Sequence, residues 1–409
     1  MEKKTTETTS KTKKTTVKSA EKAAASKQTT KSANTKSKSA ASSTKTATKA
    51  AAKTSTKATA KTTAKTSVKT KSLTKDTSTE KKTSAKTKKT PDLPVRFHLP
   101  GLRFNYPLNM YWVSLLKTHP ELFRKGVEIG SFFGCFPVAL WNGGRLIAHD
   151  QCDSQFITNV IKSVNNEGIP VRYTFTNPLL TEEDLNDPYC NFCMQAADNG
   201  MNEVMVFSPI LEKYIREKYP SFSVNSSTCK EIKNADDLNA ELEKDYKYVV
   251  LDYNLNNHWE FIEGLKSPEK LEVLVNTLCT PACPRRGQHY RYIAEKQRAI
   301  LENRKLPADQ KTEIIDDWRC EYGEYNYLYK IMDYPTFIST DKIWNEYLPH
   351  GINNFKIEGR TANLFSLIET YCYYMIKPEC VGEARMLMIS NLMNSRIITV
   401  NKPRPSHWP

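Results

Sequence analysis

From residue 127 onward the chain repeats one unit: a short apolar run, a small or polar residue, then a stretch with helical periodicity. Such runs stand at 127–132, 171–177, 203–208, 222–227, 248–254, 271–277, 336–340 and 354–360. Strands alternating with helices imply a parallel sheet, because each crossover must return to the same edge. Eight strands over this length imply a closed (β/α)8 barrel of the triosephosphate-isomerase type rather than an open doubly wound sheet. A Gly-rich phosphate or dinucleotide loop is missing from the sequence, which also disfavours the open nucleotide-binding folds.

In such a barrel the C-terminal ends of the strands converge on one mouth, where side chains from different strands can act together. Several runs end in polar residues: Asn177, Ser208, Ser227, Asp252 with Asn254, Asn276, and Glu358 with Arg360. Each could simply cap the following helix. Together they exceed what capping requires. Asn177, Ser227, Asn254 and Arg360 are therefore candidates for substrate binding, and Asn276 and Glu358, with His289 from the loop after the run at 271–277, for catalysis. Glu358 and Arg360 are two residues apart on one strand and so share a face. An arginine fork there suits a carboxylate or phosphate, unless the pair is an internal ion pair.

The run at 271–277 ends in Asn276 and is followed at once by Cys279, Cys283 and His289. A strand that delivers two thiols into its C-terminal loop can direct both into one cavity. Cys320 follows a charged, helical excursion that could fold back over the mouth. Three thiolates suit an iron–sulfur cluster of the 4Fe–4S kind or zinc, with His289 or an exchangeable position as a further ligand. Arg285 and Arg286 beside the pair would favour thiolate over thiol. The alternative is that Cys279 and Cys283 are small buried residues and Cys320 is incidental. Cys190 and Cys193 also have ligand spacing, but they fall at the start of a helical pattern and are read as packing residues, as are Cys372 and Cys380. The ten cysteines as a set are read as reduced thiols in a cytoplasmic protein.

Residues 1–90 stand apart. They hold 25 Lys and five acidic residues, a net charge of +20, so with +15 on the whole chain residues 91–409 carry −5. The segment is almost entirely Lys, Thr, Ser and Ala and cannot bury enough apolar surface to offset its ordering entropy, so it is expected to be disordered. Its charge suits weak, salt-dependent binding to nucleic acid or another polyanion, or no fixed partner at all. Without arginine or aromatics it has no means to read bases. No secretory signal or membrane span is evident. The expected organisation is a basic tail over 1–90, a barrel over 91–377 with a helical excursion at 293–335, and a C-terminal extension over 378–409.

Three stretches, NEVMVFSPILEKYIREKYPSFSVNSST, LEVLVNTLCTPACPRRGQHY and GINNFKIEGRT, resemble in order and spacing the collagenase-like peptidase family of unknown catalytic type, number thirty-two in that class. WNGGR near Trp141 and TFTNPLL near Asn177 resemble a bacterial branch of it. The resemblance spans about Val127–Ile376 and implies a triosephosphate-isomerase-type barrel. It leaves the reaction open. Some relatives carry a protease label; others are oxygen-independent hydroxylation factors for ubiquinone precursors or RNA bases, with four cysteines and in some cases an iron–sulfur cluster. Here the fourth cysteine is not evident.

The residues themselves give proteolysis little support. There is no G-x-S-x-G elbow and no H-E-x-x-H helix. His289 is six residues from Cys283 without a protease signature around either. The expectation is a metal- or cluster-dependent enzyme acting at the barrel mouth on a small molecule, a peptide or an RNA base, with a peptidase or a non-catalytic binding barrel as alternatives.

Overall fold

Eight parallel strands close into a ring in the computed structural model, which describes residues 93–143, 150–320, 327–359 and 363–399. They are β1 (Val95–Pro100), β2 (Val127–Gly134), β3 (Val171–Phe175), β4 (Glu203–Val206), β5 (Ser223–Ser226), β6 (Val249–Val250), β7 (Leu271–Leu274) and β8 (Asn354–Lys356), in sequential order around the barrel. The fold is the (β/α)8 barrel that the repeat implies. The lysine-rich residues 1–90, Arg360 and part of the WNGGR stretch lie outside the described residues.

The strand set differs from expectation at two places. The run at 336–340 is not a strand. Its Ile338 amide bonds the Val275 carbonyl just beyond β7, and its Ser339 hydroxyl caps the short helix Thr340–Lys342. The run therefore straps the outside of the β7–β8 connection, and β7 pairs directly with β8. The missing strand is β1, which pairs with both β2 and β8 and so closes the ring. Its sequence, VRFHLP, is broken by Arg96 and His98 and follows directly on the low-complexity tail, so it carries little apolar signal.

Helices cover the outside. Ser154–Asn166 is representative. Asp153 accepts the Phe156 amide at 2.7 Å as its N-cap, and Ile157, Val160, Ile161 and Val164 form the buried stripe at helical spacing. These side chains meet Val95, Phe97, Leu99, Val171, Tyr173, Val204, Val273 and Phe355 in one continuous apolar layer between strands and helices.

Alternate residues on the same strands face the axis, and here the barrel is charged. Arg172 of β3 donates to Glu203 of its neighbour β4 at 2.6 Å and reaches across the ring to Glu272 of β7. Lys356 of β8 stands 3.3 Å from Glu272 as well. Asn225 donates to Glu203 at 3.1 Å. His98 bonds Ser131 at 2.8 Å, and a Cβ on Gly130 would stand 2.6 Å from its ring, so the glycine makes room for the imidazole. Above this charged layer lies a smaller apolar one, Met205, Val250, Tyr253 and Leu274, which forms the base of the mouth.

Charges this deep survive only as a set. Burial alone would raise Glu272, but Arg172 and Lys356 outweigh it and hold the carboxyl well below the usual range. Burial, with the guanidinium of Arg172 beside it, lowers the His98 pKa from 6.5 to about 3. The 3.4 Å approach of its Nε2 to Glu272 is therefore a contact of a neutral ring.

Two outcomes follow. Glu272→Ala, which leaves Arg172 with Glu203 alone and takes the carboxylate from Lys356, should cost about 3–5 kcal/mol in urea denaturation at neutral pH. Native His98 stays neutral while the unfolded chain takes up a proton below pH 6.5, so stability should fall as pH drops from 6.5 towards 3. The slope from this group is about 1.4 kcal/mol per pH unit. His98→Gln should remove that slope, most cleanly above the carboxylate range; a slope identical in the variant would show that the ring titrates normally.

Candidate functional site

The segments that leave β5, β6, β7 and β8 bound the mouth. A cavity of about 90 Å³ opens there, with Phe133, Met205, Leu274 and Lys356 at its base. Thr174, Thr176 and Ser227 line one side, and Tyr253, Tyr290 and Glu358 also face it. The Lys356 ammonium lies 4.3 Å from the centre of the Phe133 ring and 3.3 Å from the Met205 sulfur. The cavity thus joins an apolar base to a ring of hydroxyls and one charge of each sign.

A second, smaller cavity of about 20 Å³ adjoins it. Cys279, Cys283 and Cys320 line it together with His289, Arg285, Arg286 and Trp318. Three of the ten cysteines, a close pair and one remote from it in sequence, face one space. Tyr290 lines this cavity and the mouth cavity alike.

The helix Arg286–Lys305 brings these parts together. Its first residue, Arg286, is buried: it pairs with Asp252 at 2.6 Å, donates to the Thr228 carbonyl at 2.7 Å and to the Tyr290 hydroxyl at 3.1 Å, and lies 4.2 Å from the centre of the Tyr253 ring. Further along, Arg298 pairs with Asp184 at 2.7 Å, and Arg304 donates to Gln151 at 2.9 Å. The helix is thereby tied to the segments after β6, β5, β3 and β2, and spans the mouth. The following segment folds back on it. Tyr292 donates to Asp317 at 2.7 Å and accepts its amide at 2.8 Å, and Trp318 stacks on His289 at 4.6 Å with the rings 3° from parallel. That return places Cys320 beside Cys279 and Cys283.

The turn between the paired cysteines is itself held. Ala282 adopts a left-handed backbone, φ 52°, which costs an L-residue about 1 kcal/mol or more. Its amide donates to Asn254 Oδ1 at 2.8 Å, and the Asn254 side chain is fixed by Asp252 at 2.9 Å. Asn254 is therefore a brace for the cysteine turn and does not line either cavity.

The other sequence candidates divide. Glu358 and Ser227 line the mouth, Glu358 also accepting the Leu278 amide at 2.9 Å and Ser227 the Cys229 amide at 3.1 Å. Asn276 joins the ends of β7 and β8: it donates to the Glu358 carbonyl at 2.9 Å and accepts the Glu358 amide at 2.7 Å. Asn177 is fully buried, donating to the Leu140 carbonyl and accepting the Leu179 amide, and so folds its own loop. Cys190 and Cys193 are buried on the helix Pro188–Ala196, and Cys372 on Leu364–Met375.

The expectation that two arginines would favour thiolate is not met. Burial raises the Cys283 pKa, with Cys279 and Cys320 adding to it, and only the Arg285 backbone opposes it. The guanidinium of Arg286 is turned to Asp252, and that of Arg285 lies 4.2 Å from the centre of the Trp318 ring. Sequence reasoning also missed Lys356, Tyr253, Tyr290 and the axial set Arg172, Glu203, Glu272 and His98. The signal for the axial set was present: a lone charge inside each of VRYTF, EVMV and LEVL, and His98 inside VRFHLP.

A thiophilic centre fits the donor set in kind. Three soft sulfurs and an imidazole share a cavity whose other walls are cationic or aromatic, with no carboxylate among them. Among the described residues, no three His, Cys, Asp or Glu side chains are already gathered as a metal would gather them. Nor, among those residues, is any helix long and apolar enough to cross a membrane.

No family model matches the chain, and no curated protein matches it either. Among solved structures, that of the U32 peptidase Mk0906 aligns over 65% of this chain and 94% of its own, at 14% identity and a TM-score of 0.38.

The arginines make opposite predictions. Arg286→Met leaves Asp252 buried without its partner and should cost about 3–5 kcal/mol in urea denaturation. Arg285→Ala, at a half-exposed stack, should cost about 1 kcal/mol or less. Equal losses would show that the helix is not anchored through Arg286.

Proposed function

We propose that this chain is a barrel enzyme that takes a small substrate, or a single RNA base, into the mouth cavity, and that Cys279, Cys283 and Cys320 hold a thiophilic centre beside it. The observation that carries this reading is the shared wall: the cavity holding the three thiols and the cavity at the barrel mouth have Tyr290 in common. An iron–sulfur cluster is favoured over zinc, because the site adjoins a partly apolar substrate space in which electron transfer would have a use. Such a centre would supply electrons to chemistry in the adjoining cavity. His289, stacked on Trp318, would complete the ligand set or leave that position to an exchangeable group. Loading would draw the Cys320 segment toward the turn that Asn254 braces.

The protein's own residues do the rest. Thr174, Thr176 and Ser227 offer hydroxyls to a polar edge of the substrate, Phe133, Met205 and Leu274 pack its apolar face, and Lys356 and Glu358 place one positive and one negative charge. Hydroxylation is favoured over peptide cleavage, because a cysteine nucleophile needs a lowered thiol pKa and burial moves Cys283 the other way. The lysine-rich residues 1–90 would add a weak, salt-dependent hold on RNA.

Anaerobic purification of the full chain with iron, sulfide and zinc analysis tests this. A broad visible absorption with about four irons per chain, lost in Cys279→Ala and Cys283→Ala but kept in Cys193→Ala, is the expected result. Colourless protein without iron or zinc that cleaves peptides would overturn it.

A further inference from the structure

One hydroxyl lining the mouth cavity is poorly paired within the protein. Tyr253 is 1% exposed, and its buried phenol oxygen makes no well-aligned hydrogen bond; the side chain it meets is the Cys279 thiol. A thiol is a weak acceptor, and a buried donor so poorly met costs about 1–3 kcal/mol, so its retention calls for a use. The ring is fixed: it packs with Met205, Val250 and Leu274 on the barrel axis, and the Arg286 guanidinium lies 4.2 Å from its centre. The side chain that packs against this same cluster from the mouth side is Cys279.

We propose that Tyr253 is the positioning residue for Cys279, its hydroxyl donating to the sulfur when that sulfur ligates a metal. This inference rests on the thiol-centre reading above and adds to it a residue from outside the cysteine loop. Thiolate ligands are held and tuned by outer donors, and a missing donor typically weakens metal binding by about 10–100-fold. Tyr253 is suited to the part. A phenol carries its proton at neutral pH and so is a donor there. A phenol at the end of a fixed ring also has little rotamer freedom to lose. Toward the protonated Cys279 thiol the hydroxyl has only a weak acceptor; toward a thiolate it has a strong one.

The test is an anaerobic titration of the reduced, metal-free full chain with cobalt(II) alone, reading the thiolate-to-cobalt charge-transfer absorption, alongside thermal unfolding of the metal-free protein. Tyr253→Phe should weaken cobalt binding about 10–100-fold and shift the absorption band, while the metal-free variant unfolds at the same temperature as the parent or higher. Tyr189→Phe is the control. It removes another largely buried phenol, one that lies at a different surface groove whose lining holds none of Cys279, Cys283 and Cys320, and should leave the titration unchanged. If Tyr253→Phe binds cobalt with the parent's affinity and band, the inference fails and the thiol centre stands. A metal-free variant that melts well below the parent also overturns it, because the hydroxyl then serves the fold rather than the ligated sulfur. If the parent itself shows no thiolate absorption, the thiol-centre reading fails and the inference falls with it.

Discussion

The pairing of Arg172 with Glu203 and Glu272 fixes the inside of this barrel. A ring of eight short strands encloses an axis too narrow for water to solvate a charge, so each ion there must be met by another. Arg172 meets one carboxylate on the adjacent strand and one across the ring. Lys356 then shares the second carboxylate, and His98 is kept neutral beside it. Because the partners come from β1, β3, β4, β7 and β8, the network is satisfied only when all of these strands are in register. A slip of one residue would turn a charge into the apolar outer layer.

The same layer sets the height of the site. Met205 and Leu274 follow Glu203 and Glu272 by two residues and face the same way, so the charged layer is roofed by an apolar one, and the mouth cavity begins there. Lys356 belongs to both: it is the rim of the ion network and the base of the cavity. The second cavity owes its existence to another buried arginine. Arg286 starts the helix that crosses the mouth, and its bonds to Asp252, Thr228 and Tyr290 fix both the helix and the wall shared by the two cavities. Two arginines, one in the barrel and one above it, thus locate nearly everything of functional interest.

The cysteine site was legible in outline because a strand followed at once by thiols leaves few places for those thiols to go. Cys279 and Cys283 had to enter the loop beyond β7, and the charged excursion could return Cys320 to them. The roles of the asparagines were not legible. Asn177, Asn254 and Asn276 end strands just as binding residues would, yet each spends its amide on backbone groups of loops brought near by the fold. The effect of Arg285 and Arg286 on the thiols was also hidden, since it depends on which way each guanidinium turns, and both found other partners.

By itself, then, the sequence determined the barrel and the separate character of the lysine-rich segment, because hydrophobic period, strand number and composition are local properties that no later contact can reverse. It also determined which cysteines could meet. Only the tertiary structure decided that β1 rather than 336–340 closes the ring, since closure depends on pairing with β2 and β8, which the local pattern does not record. It alone decided that lone charges in apolar strands face one another on the axis, and that a tyrosine from the loop after β6 stands with its hydroxyl toward Cys279. Those outcomes depend on distances between residues remote in the chain, and a sequence states order, not distance.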